Sequence, residues 1–201
     1  MIDLTLTQFL KATSTAKPEN AIIAPRAAHD AIPYTMFDVL DAVQENQLAK
    51  SRSDYFSFSD WDDGHSSADH VRTTLLYVEY EASRKEAVQD RLAEMGLDYY
   101  AIPTFATDRN KEGRKKRIDC WGFAIGLDEP LNESDTIRMA SLIIEAIECG
   151  GLTDGSYMPT YLLRLRAGQI EHNAGKLLSR EFMEEAALIR TTVRTWKREV
   201  L

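Results

Sequence analysis

The chain has 201 residues, is 44% hydrophobic and 28% charged, and carries a net charge of −8 from 32 acidic and 24 basic residues. That length predicts one domain with appendages and a sizeable core. The acidic balance excludes an indiscriminate nucleic-acid binder, because such binding depends on neutralising phosphates with Lys and Arg.

The other bulk features narrow the class further. Cys120 and Cys149 have no metal-ligand spacing and build no disulfide framework, so a reducing, cytoplasmic setting is expected. No apolar run reaches membrane-spanning length, and Met1-Ile2-Asp3-Leu4 lacks the basic region of a signal peptide. No membrane partner is therefore expected.

Residues 1–54 read as a peripheral helical extension. Leu4, Phe9 and Leu10 suggest one short helix, and Phe37, Leu40, Val43 and Leu48 a second. Pro18, Pro25 and Pro33 mark the irregular connection between them. Tyr55 to Ser59 alternates weakly as a short strand. A polar loop over 59–71 follows, dense in metal-capable side chains: Asp60, Asp62, Asp63, His65, Asp69 and His70 around Gly64. Its spacing matches no metal motif, and a solvated loop is the plainer reading. His29 and His172 are isolated and receive no role.

The core begins at Thr73 to Glu81, a run of β-branched, aliphatic and aromatic residues that predicts a strand. Alternation puts Leu75, Tyr77, Glu79 and Glu81 on one face and Leu76, Val78 and Tyr80 on the other. A helix follows, opened by a Ser83–Glu86 capping box, striped by Val88, Leu92 and Met95, and stopped at Gly96. Tyr99 to Thr107 is the second strand. The charged stretch 108–116 is a hairpin loop, and Arg117 to Leu127 is the third strand. Gly122 and Gly126 in that strand predict either a close approach to the backbone or a bulge. A second helix spans 134–148, and Tyr161 to Arg166 supplies a fourth strand. From Ser179 a C-terminal helix carries Phe182, Ala186, Ile189, Val193 and Trp196 on one stripe. Its basic outer face complements the helix dipole, and the stripe offers a surface for a partner.

The order strand, helix, strand, strand, helix, strand is the split βαβ unit of ferredoxin-like and RNA-recognition folds. The expected class is therefore α+β. A βαββαβ core sheet over 55–166 lies between the N-terminal helical segment and a C-terminal segment, 167–201, that ends in the helix. Two helices would cover one sheet face and leave the other free.

Chemistry is sought on that free face. Glu79 and Glu81, at i and i+2 on a strand, project together and form a pair able to hold a divalent metal through hard oxygens. A third carboxylate would complete a two-metal site for nucleotidyl transfer, and Asp154 is the candidate. The plainer reading is a sheet face carrying solvated acids. Arg114, Lys115 and Lys116, on the basic hairpin tip that runs from Arg109 to Arg117, form a grip for phosphates or simply a solvated tip. Arg164 and Arg166 share one face of the fourth strand, which lies near the acids if that face is the free one.

Together these pieces resemble the catalytic domain of the archaeo-eukaryotic primase superfamily, in its phage and plasmid primase-polymerase branch. In that family an apolar strand ends in Asp-x-Asp or Asp-x-Glu, as Leu75-Leu76-Tyr77-Val78-Glu79-Tyr80-Glu81 does with Glu in the leading place. The family's Ser/His motif corresponds to Thr104-Phe105-Ala106-Thr107-Asp108. Its basic residue opening the next strand corresponds to Arg117, and its apolar-Pro-Leu pattern to Leu127-Asp128-Glu129-Pro130-Leu131. Its third metal-binding Asp corresponds to Asp154. The resemblance implies Mg2+ or Mn2+ on Glu79, Glu81 and Asp154, with Thr107 and Arg117 contacting nucleotide or phosphate. DNA or nucleotides would be the partners, in replication of a phage or mobile element. The departures are a Glu one methylene longer than the leading Asp and the loss of the motif His. They imply weakened or lost catalysis.

Two alternatives stand beside this reading. The element order also resembles an RNA-recognition module, with Leu76-Tyr77-Val78 and Trp121-Gly122-Phe123 near its strand motifs. The same scaffold also suits a non-enzymatic protein that binds a host or replication protein, such as a phage inhibitor of a host defence complex. A homodimer through the C-terminal helix is compatible with each.

Overall fold

The computed structural model describes residues 3–25, 36–48, 54–109, 115–182 and 185. The chain starts as a strand and not as a helix. β1 (Asp3–Phe9) pairs antiparallel with β2 (Asn20–Pro25) and β3 (Tyr55–Ser57), giving the order β2-β1-β3. The physical reason lies in Leu4-Thr5-Leu6-Thr7. Its period of two, with β-branched threonines, suits a pleated strand buried on both sides. Leu4 and Leu6 enter the core, while Thr5 and Thr7 face a buried polar seam. There Thr5 N–H donates to Thr74 Oγ1 at 3.0 Å and Thr7 Oγ1 donates to Ser59 O at 2.7 Å. α1 (Met36–Leu48) is the helix expected around Leu40, and it adds Met36, Val39 and Leu40 to the same core. Residues 1–50 are thus neither mainly helical nor peripheral in their described part.

At Phe58 the chain bends out of this sheet and enters a second one as β4 (Ser59–Trp61). Strands that switch sheets at a bend make the corners of packed β-structures. The second sheet adds β5 (His70–Glu81), β6 (Tyr99–Arg109), β7 (Lys115–Leu131) and β8 (Glu171–Asn173), in the antiparallel order β4-β5-β7-β6-β8. α2 (Lys85–Glu94) and α3 (Glu133–Ile147) cover one face. Leu76, Val78 and Tyr80 of β5 pack there against Val88, Leu92, Met139, Ala140 and Ile143. α3 begins where Asn132 Oδ1 accepts the Asp135 N–H at 2.9 Å, and it ends at Glu148 in a left-handed conformation (φ 49°). α2 instead follows a 3-10 turn over Ala82–Arg84. Ser83 lies inside that turn, so the expected Ser83–Glu86 capping box does not form, while Gly96 (φ 66°) ends the helix as expected.

The other sheet face is not free, contrary to expectation. Leu75, Tyr100, Ile102 and Ala124 pack there against Leu4, Leu6, Met36, Leu40, Phe56 and Phe58. The result is three layers: helices, the five-stranded sheet, and the β2-β1-β3 sheet with α1. The architecture is α+β with antiparallel sheets.

The expected fourth strand also goes elsewhere. Residues 161–166 cross between the sheets as a strap. Leu163 exchanges backbone hydrogen bonds with Phe56, at 2.9 and 3.0 Å, while Phe105 N–H donates to Arg164 O and Arg166 N–H to Pro103 O. The edge of β5 that a fourth strand would use is already taken. β4 holds one end of it, and the other end is held by 151–153 through an isolated bridge between Tyr80 and Leu152. At the C-terminus, Ser179 Oγ accepts the Phe182 N–H at the first helical turn. The stripe from Ala186 to Trp196 and the basic face beyond Arg190 lie outside the described residues.

Candidate functional site

Strand β5 carries its two acids toward the end of the face covered by the N-terminal layer, and the two have opposite surroundings. Glu79 is fully buried. One carboxylate oxygen accepts the Tyr161 hydroxyl at 2.6 Å and the other accepts the Tyr77 hydroxyl at 2.9 Å. Its backbone is also engaged: Thr153 N–H donates to Glu79 O at 2.7 Å, and Glu79 N–H donates to Ser156 Oγ at 3.1 Å. Burial and the adjacent Glu79 carboxylate push both tyrosine hydroxyls far above their ordinary range. They therefore stay neutral donors. Gly122 stands opposite Glu79 in register, and a Cβ there would lie 2.2 Å from Tyr77 Oη. The close approach expected at Gly122 is made by the Tyr77 ring.

Glu81, two residues on, is exposed at the end of the strand and lines a cavity of about 730 Å3. Asp154 lines it too, brought there because 151–153 runs along the edge of β5. Arg164, Thr107, Phe105 and Tyr55 also line it. Arg164 donates to Thr107 Oγ1, and its guanidinium lies 4.3 Å from the Phe105 ring centroid. Cys120 closes the wall, its thiol raised by burial and then by Glu79. The cavity's volume lies in the range of small-molecule sites, and its lining combines the Arg164 guanidinium with two carboxylates and three aromatic rings.

The remaining expected residues scatter. Arg117 shares the strand parity of Trp121 and Phe123 on β7 and stands opposite Thr107 in register, though it does not itself line this cavity. Its guanidinium covers Phe105 at 3.9 Å and pairs with Asp119 at 3.7 Å. Lys116 and Arg117 join Glu81, Ile118 and Asp119 around a second, shallower space of about 490 Å3. Lys115 is the first residue of β7, and Arg114 lies outside the described residues. Arg166 pairs with Asp119 at 3.9 Å and not with the cavity acids.

The metal expectation fares differently. Among the described residues no group of three or more His, Cys, Asp or Glu side chains is placed to hold a metal ion. Each oxygen of Glu79 accepts a tyrosine hydroxyl.

The loop 60–70 has protein partners of its own, near and distant in the chain. Asp60 pairs with Arg72, Asp63 with Lys17 and Asp69 with Ser66, whose hydroxyl and backbone N–H hold the Asp69 carboxyl below its ordinary range. His65 bridges Thr160 O at 2.6 Å and Thr13 O at 3.2 Å.

Tyr55, Phe105, Ser156 and Tyr161 were not singled out from the sequence. Tyr161 falls in an apolar run that reads as a strand, and nothing local reveals that its hydroxyl meets a residue 82 positions earlier.

No family model and no curated protein matches the chain. Among solved structures, the AEP domain of the cyanophage S-2L primase-polymerase (PrimPol) is similar over 92% of this chain and 88% of that one, at 10% sequence identity and a TM-score of 0.44. At that score the likeness decides neither fold nor chemistry for this chain. No helix among the described residues is long and apolar enough to cross a membrane.

Proposed function

We propose that this chain is a primase-polymerase-like protein that binds a nucleotide or a short single-stranded DNA segment in the cavity beside Glu81. The observation that carries the reading is the cavity itself. It gathers Glu81, Asp154 and Thr107, residues the motif resemblance implies, with Arg164, expected near the acids from its strand face, and with Tyr55, Phe105 and Tyr161 as stacking surfaces. Arg164 supplies a charge-assisted donor for phosphate, and the rings accept a base face without choosing its sequence. The acidic net charge suits a small ligand or short strand held in one place more than a long polyanion wrapped around the surface.

Titration with a fluorescent nucleoside triphosphate and with a labelled single-stranded DNA 12-mer tests this. Saturable binding is expected, weakened roughly 10- to 100-fold by Arg164→Ala, the cost of one charge-assisted contact of about 1.5–3 kcal/mol. No saturable binding of either probe, or binding indifferent to Arg164→Ala, removes the reading. One observation favours the second reading, a protein-binding module without catalysis: the leading acid of the motif is sealed under the strap. Failure of both probes together with a stoichiometric protein partner for the purified chain supports that alternative.

A further inference from the structure

We infer that Glu79, where the resembled family places its leading metal ligand, is in this chain the buried anchor that fastens the strap, together with the segment from 152 that leads into it, to the sheet, and is not a metal ligand. This deepens the reading of the same site, since it describes a binding cavity whose innermost acid has another task.

The geometry is specific. A hard cation needs carboxylate lone pairs turned toward an open position about 2.0–2.6 Å away. On Glu79 each oxygen instead accepts a tyrosine hydroxyl, at 2.6 and 2.9 Å, and no part of the residue reaches solvent. A buried carboxylate is tolerated only when hydrogen bonds replace its water, and two phenol donors do that here. The neighbours form a matched set. Tyr77 and Tyr161 stack with centroids 6.1 Å apart at 20°, and the Tyr77 ring occupies the space that the missing Gly122 side chain leaves. Ser156 and Thr153 tie the segment leading into the strap to the Glu79 backbone.

The strap has further fasteners on either side of Tyr161. His65 reaches Thr160 O, and Leu163 pairs with Phe56. Tyr161 itself lines the cavity. The hydrogen bond that removes Glu79 from the site therefore also builds the cavity wall.

The test uses the full chain and four variants: Glu79→Gln, Tyr161→Phe, the double variant, and Glu81→Gln as a control. Two quantities are read, the thermal midpoint and Mn2+ affinity by electron paramagnetic resonance titration. Glu79→Gln and Tyr161→Phe are each expected to lower Tm by roughly 4–10 °C, with the double variant losing clearly less than the sum. Whatever Mn2+ affinity the wild type has should survive Glu79→Gln within about twofold, less than the 0.6 kcal/mol of thermal energy. The inference is overturned if Glu79→Gln weakens Mn2+ binding tenfold or more, or if the two Tm losses simply add. Should Glu79→Gln fail to fold, Tyr161→Phe decides alone, because it keeps the ring. An unchanged Tm in that variant overturns the proposal. Failure of nucleotide binding with the thermal coupling intact would remove the proposed function and leave this inference standing.

Discussion

At the scale of single residues, small changes separate packing from chemistry. Gly122 is the plainest case. An added methyl would meet the Tyr77 hydroxyl at 2.2 Å and its ring carbons at 2.5 and 2.6 Å, all closer than real contacts allow. Tyr77 would have to swing away, and Glu79 would lose one of its two donors. Gly122→Ala is expected to cost about 1–3 kcal/mol of stability, as overpacking of a tight site does, measured by the urea unfolding midpoint. A neutral result would mean that the ring does not rest there. The sequence signalled a close approach at Gly122 without naming the approaching group. That group lies 45 residues away on a partner strand, and local periodicity carries no information about partners. The acids of loop 60–70 teach the converse. Metal-capable side chains crowd there, yet Arg72 and Ser66 satisfy two of them from nearby in the chain and Lys17 a third from 46 positions away.

At the scale of elements, the N-terminal strand is the instructive misreading. Leu4, Phe9 and Leu10 suggest a helical stripe, but the chain follows Leu4 and Leu6 with threonines between, a period of two. Because β1 is central in its sheet and buried on both sides, Leu6 belongs to the core between the two sheets. Leu6→Ala is expected to destabilise the fold by about 2–5 kcal/mol, readable in equilibrium unfolding. A loss below about 0.5 kcal/mol, ordinary for a surface position, would restore a peripheral N-terminus. The strap shows a second limit. Its alternation is strand-like, with Leu163 and Leu165 buried and Arg164 facing the cavity. Alternation fixes which side chains turn inward. It does not fix which edge the backbone joins, and with the β5 edge occupied the strap joined β3 and β6.

At the scale of the whole molecule, sealing a polar cluster between layers has a pH consequence. Tyr77 and Tyr161 are raised by burial and by Glu79, and Tyr80 is raised by burial to about 12, against an ordinary value of 10.0. The sign follows from linkage. The folded state holds these protons more tightly than the unfolded chain, so the stabilisation is complete below pH 10. It is lost as pH rises from there through the folded values. Unfolding free energy is expected to fall above about pH 10 by up to about 1.4 kcal/mol per pH unit for each such tyrosine. Urea midpoints at successive alkaline pH values measure the slope, and Tyr161→Phe should make it shallower. An unchanged slope would place the titrating groups elsewhere.

By itself the sequence determined the strands and helices from 73 to 148, the faces of β5 and the closeness required at Gly122. These follow from periodicity, turn residues and side-chain chemistry, all written within a few neighbouring positions. Only the tertiary structure decided that the supposedly open sheet face lies under β1, α1 and the strap, that Arg117 and Arg164 cover the same Phe105 ring, and that Glu79 is clamped by two hydroxyls. Those outcomes depend on which distant segments win the same edge or face, a competition between non-local contacts that no local pattern encodes.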